Sequence, residues 1–378
     1  MIDRPKLENI REIARNFVEE DIPLSLAREI DSADRYPADL LEKFSETGLW
    51  GVNIAEQYGG MGGDSVDAMP IYEELSRRLP VLAWVIGNIM LYGNDIISEH
   101  GSREQKDAYL PRLAEGRLRF SFALTEPDAG SDAANIQTKA VLEDGSYVIT
   151  GEKLFITGAG ISDVVVTLTR TDPSRYNGIT AFLVDTTLPG FSTKPLKKLG
   201  YHGSNTCTVH YDRVRIAPEN ILGGEACLNQ GWKQMVSLLN SERLALSSCS
   251  LGIGQAVLDE TITYFQNNFS PGYPGQYQAT QHTIVEMATE LEAARQLVAH
   301  AARMAKQGIE CLRETSMAKY FSSEMAKKLA LQSVDIMGSD GGALAYEAQR
   351  FLRDVLVLSI GGGTTQIQKN IIAKTLEI

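Results

Sequence analysis

The sequence is poor in residues that bind metals or cross-link chains. Its 378 residues include four cysteines and five histidines. Cys207, Cys227, Cys249 and Cys311 lie far apart with no CxxC pair, so neither a zinc site nor a disulfide framework is expected. The histidines lack HExxH-type spacing, and no metal is expected. Positive charge is in deficit: 36 Lys and Arg face 48 Asp and Glu, a formal net charge of −12. A grip on nucleic acid or on anionic lipid needs basic surface, so neither partner is expected. Long apolar runs are scarce as well. The most apolar stretch, residues 80–91, is about two-thirds of a membrane span and contains Gly87 and Asn88. The opening MIDRPKLENIREIARNF is charged throughout and does not resemble a signal peptide. A metal-free cytoplasmic protein is the expectation.

The length is too great for one ordinary core and points to two or three packed domains. Residues 1–118 read as helical. Leu7, Ile10, Ile13, Ala14, Phe17 and Val18 recur at helical spacing, with turn clusters at 58–64 and 100–102. In residues 119–225 the helical period disappears. Short β-branched runs at 147–150, 154–157, 163–169, 179–185 and 208–216 alternate with turns and predict a small sandwich or barrel. The last of these runs suggests two-residue alternation with one slip. Residues 226–378 return to long helices, at 231–267, 278–306, 313–337 and 344–358, before a Gly361-Gly362-Gly363 break and a final helix. The expected class is α+β: an N-terminal helical domain, a central β domain and a C-terminal four-helix bundle.

Three places could carry chemistry. The turn at 123–132 gathers Thr125, Ser131 and backbone amides that can face an anionic or carbonyl-rich ligand. An ordinary loop capped by its Asp and Ser fits the same residues. At 361–368, three glycines let a backbone approach a ligand, and a helix N-terminus follows. A helix break with Thr364 as N-cap fits equally. Lastly, Glu242 falls on an apolar stripe formed by Met235, Leu238, Leu239, Leu246 and Cys249. A carboxylate there is either paired or raised in pKa, as a general base requires. The bland alternative is a Glu242-Arg243 pair on a solvated face.

In this order and spacing the chain resembles the acyl-CoA dehydrogenase family. The carriers are Thr125-Glu126-Pro127-Asp128-Ala129-Gly130-Ser131-Asp132, Lys153-Leu154-Phe155-Ile156-Thr157, and Leu199-Gly200-Tyr201-His202-Gly203-Ser204-Asn205-Thr206, with His202 where the family usually has Arg. Ile336-Met337-Gly338-Ser339-Asp340-Gly341, Arg353-Asp354 and Gly363-Thr364-Thr365-Gln366-Ile367-Gln368 complete the set. The resemblance implies FAD held between the β and C-terminal domains of paired subunits, in a homodimer or homotetramer. Phe122, Leu124, Thr125 and Ser131 would contact flavin and diphosphate, Phe155 and Thr157 would lie against the isoalloxazine, and Thr364 and Gln366 would reach the nucleotide end. The implied reaction turns an acyl thioester, on coenzyme A or a carrier protein, into the 2,3-enoyl thioester. An electron-transferring flavoprotein or oxygen would take the electrons.

Most members carry the base immediately before the "GT" pair, where this chain has Gly362. A minority, isovaleryl-type enzymes among them, place it in an "ER" pair on the first long C-terminal helix, which Glu242-Arg243 matches. Arg243, Gly362 and Gly363 would then line the substrate side. Two further departures concern FAD. Asn268, in Asn267-Asn268-Phe269-Ser270-Pro271, stands near the family's diphosphate arginine, and Asp335 stands at its glutamine. An enoyl-thioester reductase of the same fold, and a half-site subunit of a heteromer, are the alternatives that the resemblance leaves open.

Overall fold

The computed structural model describes residues 7–269 and 275–378; Ser270 and Pro271 of the segment near Asn268 fall outside them. The N-terminal part is helical: α1 (Ile10–Asp21), α2 (Leu24–Ala33), α3 (Ala38–Glu46), α4 (Ser65–Ser76), α5 (Pro80–Ile89), α6 (Ile96–His100) and α7 (Arg103–Ala114). The stripe seen in the sequence is the buried face of α1: Ile10, Ala14, Phe17 and Val18. Both turn clusters end as helix starts. Asp64 and Asp67 form a capping box at α4, and Ser102 and Gln105 form another at α7, each satisfying amides that a helix end leaves free. Residues 90–95 join α5 to α6 as a π-helical turn. The whole 80–100 run is long and apolar enough to cross a membrane, but 72% of its most apolar window is buried inside the protein. Packing into the core accounts for its composition.

The central part holds β1 (Phe120–Ala123), β2 (Lys139–Glu143), β3 (Ser146–Ile156), β4 (Val164–Arg170), β5 (Ile179–Asp185), β6 (Phe191–Pro195) and β7 (Cys207–Ile216). They form one sheet in the order β1-β4-β2-β3-β7-β6, with β5 on β4. The sheet has its own apolar cluster, including Ile149, Val165, Phe182, Val209 and Tyr211. The two runs expected at 147–150 and 154–157 are a single strand, β3, because bulges carry the pairing past Gly151 and Glu152. The slip expected in β7 is real. Asp212 and Arg213 stand opposite Thr150 alone, with Arg213 at φ 55°.

The C-terminal part contains α8 (Gly231–Asn268), α9 (Gln278–Lys306), α10 (Leu312–Met337), α11 (Ala348–Val355) and α12 (Thr365–Thr375). The helix expected at 344–358 is shorter. Leu344 is 74% exposed, and the chain past Val355 tightens into a 3-10 turn, so only the middle of that run has a core to pack on.

One junction ties the three parts together. Arg353 on α11 grips the Asp31 carboxylate of α2 with two nitrogens, at 2.9 and 2.5 Å. The turn before β7 reaches both neighbours. Tyr201 N–H donates to Asp354 Oδ1 at 2.6 Å and Gly203 N–H to Asp34 Oδ1 at 2.6 Å. His202, in the position usually held by Arg, lies with Nδ1 2.9 Å from the Asp31 carbonyl oxygen.

Candidate active site

Beyond β1 the chain turns sharply, and paired bonds between Glu126 and Ala129 close the turn, N–H to O at 3.1 and 3.2 Å. The Glu126 side chain folds inward. It accepts from Lys153 Nζ at 2.8 Å, Gln137 N–H at 2.6 Å and Thr138 N–H at 2.9 Å. Lys153, fully buried, also donates to the Leu124 carbonyl at 3.0 Å, and Leu154 N–H donates to Thr125 O at 2.8 Å. Two of the sequence motifs are therefore joined by a buried ion pair. Burial works to raise the Glu126 pKa, but Lys153 and the backbone donors outweigh it and hold the carboxyl below its ordinary value.

The turn so anchored leaves donors over. Among the described residues, no acceptor meets the N–H groups of Gly130, Ser131 or Asp132. Ser131 is exposed, while Phe122, Leu124 and Thr125 are half-buried beside it. Successive free amides of this kind favour an anion.

A bulge in β3 supplies an apolar surface. Leu154 and Phe155 stand opposite Thr208, because Lys153 pairs with Val209 and Ile156 with Cys207. Phe155 takes φ 60° and its side chain is 64% exposed. A bulky residue in the left-handed region is strained, and such strain clusters at ligand sites. Thr157 is fixed from both sides. Its hydroxyl accepts from Trp84 Nε1 at 3.1 Å, and its carbonyl accepts from Asn88 Nδ2 at 3.0 Å. An uncovered aromatic face near a turn of free amides and hydroxyls fits a cofactor that joins a flat ring to a diphosphate.

Glu242 projects from α8 between buried Leu238 and Leu246 and is itself half-buried. Its enclosure pushes the carboxyl pKa up; the Tyr92 hydroxyl, then Arg243 and Lys319, pull it partly back. Opposite stands the Gly361–Gly363 turn. A Cβ on Gly362 would lie 3.4 Å from Glu242 Oε1. The carboxylate therefore stands beside the point where a side chain at 362 would begin, with Leu246 Cδ1 nearer still at 2.5 Å. Gly362 and Gly363 adopt φ 63° and 89°, as a turn of this shape requires. Their carbonyls are held: Gln368 Nε2 donates to Gly362 O at 2.9 Å, and Lys319 Nζ donates to Gly363 O at 2.8 Å. Their N–H groups meet no acceptor among the described residues.

Arg243 is not the outer half of a solvated pair. It is 3% exposed, its Nη1 donates to Asn240 Oδ1 at 2.9 Å, and its Nε meets no acceptor. Burial lowers its pKa. Thr364 is the N-cap of α12, accepting from Ile367 N–H at 3.2 Å, which leaves its hydroxyl proton free to donate. Gln366 is exposed on the first turn of that helix. The structure thus gathers Glu242, Gly362 and Gly363 at one spot, with Arg243 turned beneath it. Asn268 and Asp335 are exposed near the ends of α8 and α10, and Asn268 Nδ2 donates to the Tyr264 carbonyl of its own helix at 2.9 Å. A cavity of about 1000 Å³ between α1, α8 and α11, lined by Arg15, Arg78, Glu74, Glu260 and Asn268 among others, contains neither Glu242 nor the Gly361–Gly363 turn.

Sequence reasoning missed Tyr92 and Lys319. Lys319 had a signal, since Thr315, Ala318, Ser322 and Ala326 surround it at helical spacing and are all buried. Tyr92 had none, because a π-helical turn departs from the period by which faces are read.

Residues 4–117 match the acyl-CoA dehydrogenase N-terminal domain family, 121–214 its middle domain and 229–377 its C-terminal domain. The chain is 37% identical, over 97% of both lengths, to a protein of Bacillus subtilis (strain 168) described as an acyl-CoA dehydrogenase. It is 35% identical, over 98% of both lengths, to a 3-(aryl)acrylate reductase of Clostridium sporogenes (strain ATCC 15579). Its fold matches that of butyryl-CoA dehydrogenase from Megasphaera elsdenii with a TM-score of 0.93, at 30% identity and 98% coverage of each chain. With the β-domain turn, the exposed Phe155 and the helical frame around them, these likenesses mean that the chain belongs to the acyl-CoA dehydrogenase family, FAD-binding oxidoreductases that act on CH–CH bonds.

Proposed function

We propose that the protein oxidises an acyl thioester to the 2,3-enoyl thioester, with Glu242 as the base that removes the Cα proton. The observation that carries this reading is the position of its carboxylate, 3.4 Å from where a Cβ on Gly362 would stand. Removing a Cα proton builds negative charge on the thioester carbonyl, so donors must wait there. The Gly362 and Gly363 amides serve as those donors. Because the peptide is trans, fixing the Gly362 carbonyl on Gln368 aims the Gly363 N–H the opposite way. Bound FAD, held by Phe122, Leu124, Thr125, Ser131, Phe155, Thr157, Thr364 and Gln366, supplies the acceptor for the Cβ hydride. A base must be ionised to accept a proton, and its enclosure raises the Glu242 pKa. Oxidation therefore speeds up as pH rises through that raised value.

Coenzyme A is the proposed thioester carrier, with a carrier protein as the alternative. An electron-transferring flavoprotein, or oxygen, would reoxidise the flavin. We further propose a homodimer or homotetramer; a monomer that sediments with FAD bound would rule this out. The four cysteines, all free thiols, suit a reducing cytoplasm. The reductase direction draws support from the likeness to a 3-(aryl)acrylate reductase. Anaerobic mixing with a panel of acyl-CoA and carrier-bound acyl thioesters decides between them. Bleaching of the yellow flavin by a saturated acyl thioester is the expected result. If none bleaches it, while an enoyl thioester reoxidises chemically reduced flavin, the protein works as a reductase.

A further inference from the structure

Two wholly buried side chains clamp the glycine turn from the inside. Gln368 of α12, besides taking the Gly362 carbonyl, donates from the same Nε2 to Gly363 O at 3.1 Å. Lys319 of α10 reaches that carbonyl as well, with Nζ at 2.8 Å. Lys319 is 0% exposed, yet this bond to a neutral oxygen is the one its ammonium makes among the described residues, and no carboxylate there pairs with it. Glu324, five residues on, is taken by Lys327 Nζ at 2.5 Å and Thr365 Oγ1 at 2.6 Å. Burial lowers the Lys319 pKa to about 8, with Glu242 opposing, so the ammonium keeps its proton at neutral pH. Arg243 is a second buried cation without an ion pair among the described residues. Thr315, one turn before Lys319, donates at 3.0 Å to the Asn240 oxygen that Arg243 also uses, so both cations lie along the seam of α8 and α10. A buried charge without a counter-ion costs stability, and an apolar residue of the same size would avoid that cost. Charge that the fold does not need points to charge that the reaction uses.

We propose that Lys319 is a positioning residue of the glycine turn: it holds the Gly363 carbonyl and, unneutralised, favours the negative charge that builds on the thioester carbonyl in front of the turn. This rests on the acyl-thioester reading of the site. When the Cα proton passes to Glu242, that carboxylate becomes neutral, and the C–H electron pair stays with the substrate as a transient enolate. The buried cations are then left facing the enolate as its counter-charge. Lys319 works through the turn rather than by touching substrate. Its bond to the carbonyl is charge-assisted, so the turn is held firmly in the shape that keeps its amides outward. A preset cation of this kind costs no rearrangement at the moment of reaction.

Lys319→Met keeps the length of the side chain and removes its charge. The melting temperature is expected to hold or rise, since no carboxylate is stranded and Gln368 still holds the Gly363 carbonyl. The deciding readout is the affinity of the FAD-loaded enzyme for two thioesters built on the acyl group that bleaches the flavin best, each followed by the shift in flavin absorbance. One is the 3-oxoacyl-CoA, whose acidic Cα lets it bind as an enolate; the other is the neutral 2-enoyl-CoA. Lys319→Met is expected to bind the first about tenfold more weakly, the scale of one partly screened charge a few ångströms away, and the second as the parent does. Lys319→Gln, uncharged but still a donor, should lose the same preference; it also decides the matter if Lys319→Met does not fold. Equal weakening of both ligands, as a merely structural role would give, overturns the proposal, and so does weakening of neither. A Lys319→Gln enzyme with the parent's preference overturns it too, because a tether without charge would then suffice. A parent whose flavin responds to no acyl or enoyl thioester removes the acyl-thioester reading instead, and the role of Lys319 with it.

Discussion

Glu242→Gln is expected to fold, keep its FAD and lose flavin reduction by substrate by about 10²–10⁴-fold, the usual cost of deleting a general base. The amide preserves the volume between Leu238 and Leu246, and it relieves the enclosure that now opposes a charge there. Stability should therefore hold or rise slightly, and the loss should be purely kinetic. The Glu242→Gly, Gly362→Glu double variant tests the geometry directly. A glutamate at 362 must adopt the left-handed φ of 63°, at a cost of about 1–2 kcal/mol, and Leu246 Cδ1, 2.5 Å from the new Cβ, must swing aside. Partial recovery of flavin reduction is expected, because the new carboxylate enters the space that Glu242 vacates. Stopped-flow bleaching measures both variants. A Glu242→Gln rate equal to the parent's would send the search to another carboxylate.

Lys153→Met should be the most damaging change away from the base. It strands the Glu126 carboxylate, 6% exposed, with only backbone amides for partners. Breaking one side of a buried pair typically costs about 3–5 kcal/mol. The Leu124 carbonyl loses its donor as well, so the turn carrying Thr125 and Ser131 loosens, and FAD should be lost on dialysis. Adding Glu126→Gln removes the stranded charge and should restore part of the melting temperature. The pH dependence has a definite sign. Glu126 titrates lower folded than unfolded, so its stabilisation is complete above the unfolded carboxyl value, about 4.3, and fades as pH falls through the depressed one. The parent should show this acid limb, and Lys153→Met should show much less of it. A melting temperature unchanged in Lys153→Met would mean that the pair is idle.

Much of this was legible in the sequence, for reasons that differ by element. The period of α1 and the leucine stripe of α8 were visible because a helix that buries one face must repeat its apolar residues. Glu242 stood out because it interrupts such a stripe. β6 (Phe191–Pro195) was illegible, since an exposed edge strand needs no alternation and this one ends in proline. β1 and β2 escaped notice too, the former being four residues long and the latter mostly uncovered. The left-handed Phe155 and the stack of Tyr92 on Phe122 belong to tertiary geometry. A bulge and a π-turn create them, and neither leaves a periodic trace. The Glu126–Lys153 pair lay in plain view as two motif residues, but charged side chains read as surface until their partners are known.

The junction at Asp31, Tyr201, His202, Gly203 and Arg353 has a consequence for the order in which the chain assembles. The turn before β7 needs a carboxylate 169 residues earlier for Gly203 and another 153 residues later for Tyr201. During synthesis from the N-terminus, the β domain emerges with this turn half-anchored and must wait for α11 before it is secured. Closing such long-range contacts costs chain entropy before it returns any energy, so they belong to the late, slow steps of folding. A ribosome-stalled chain ending before α11 would therefore expose the turn to protease, and release of the remaining residues would protect it.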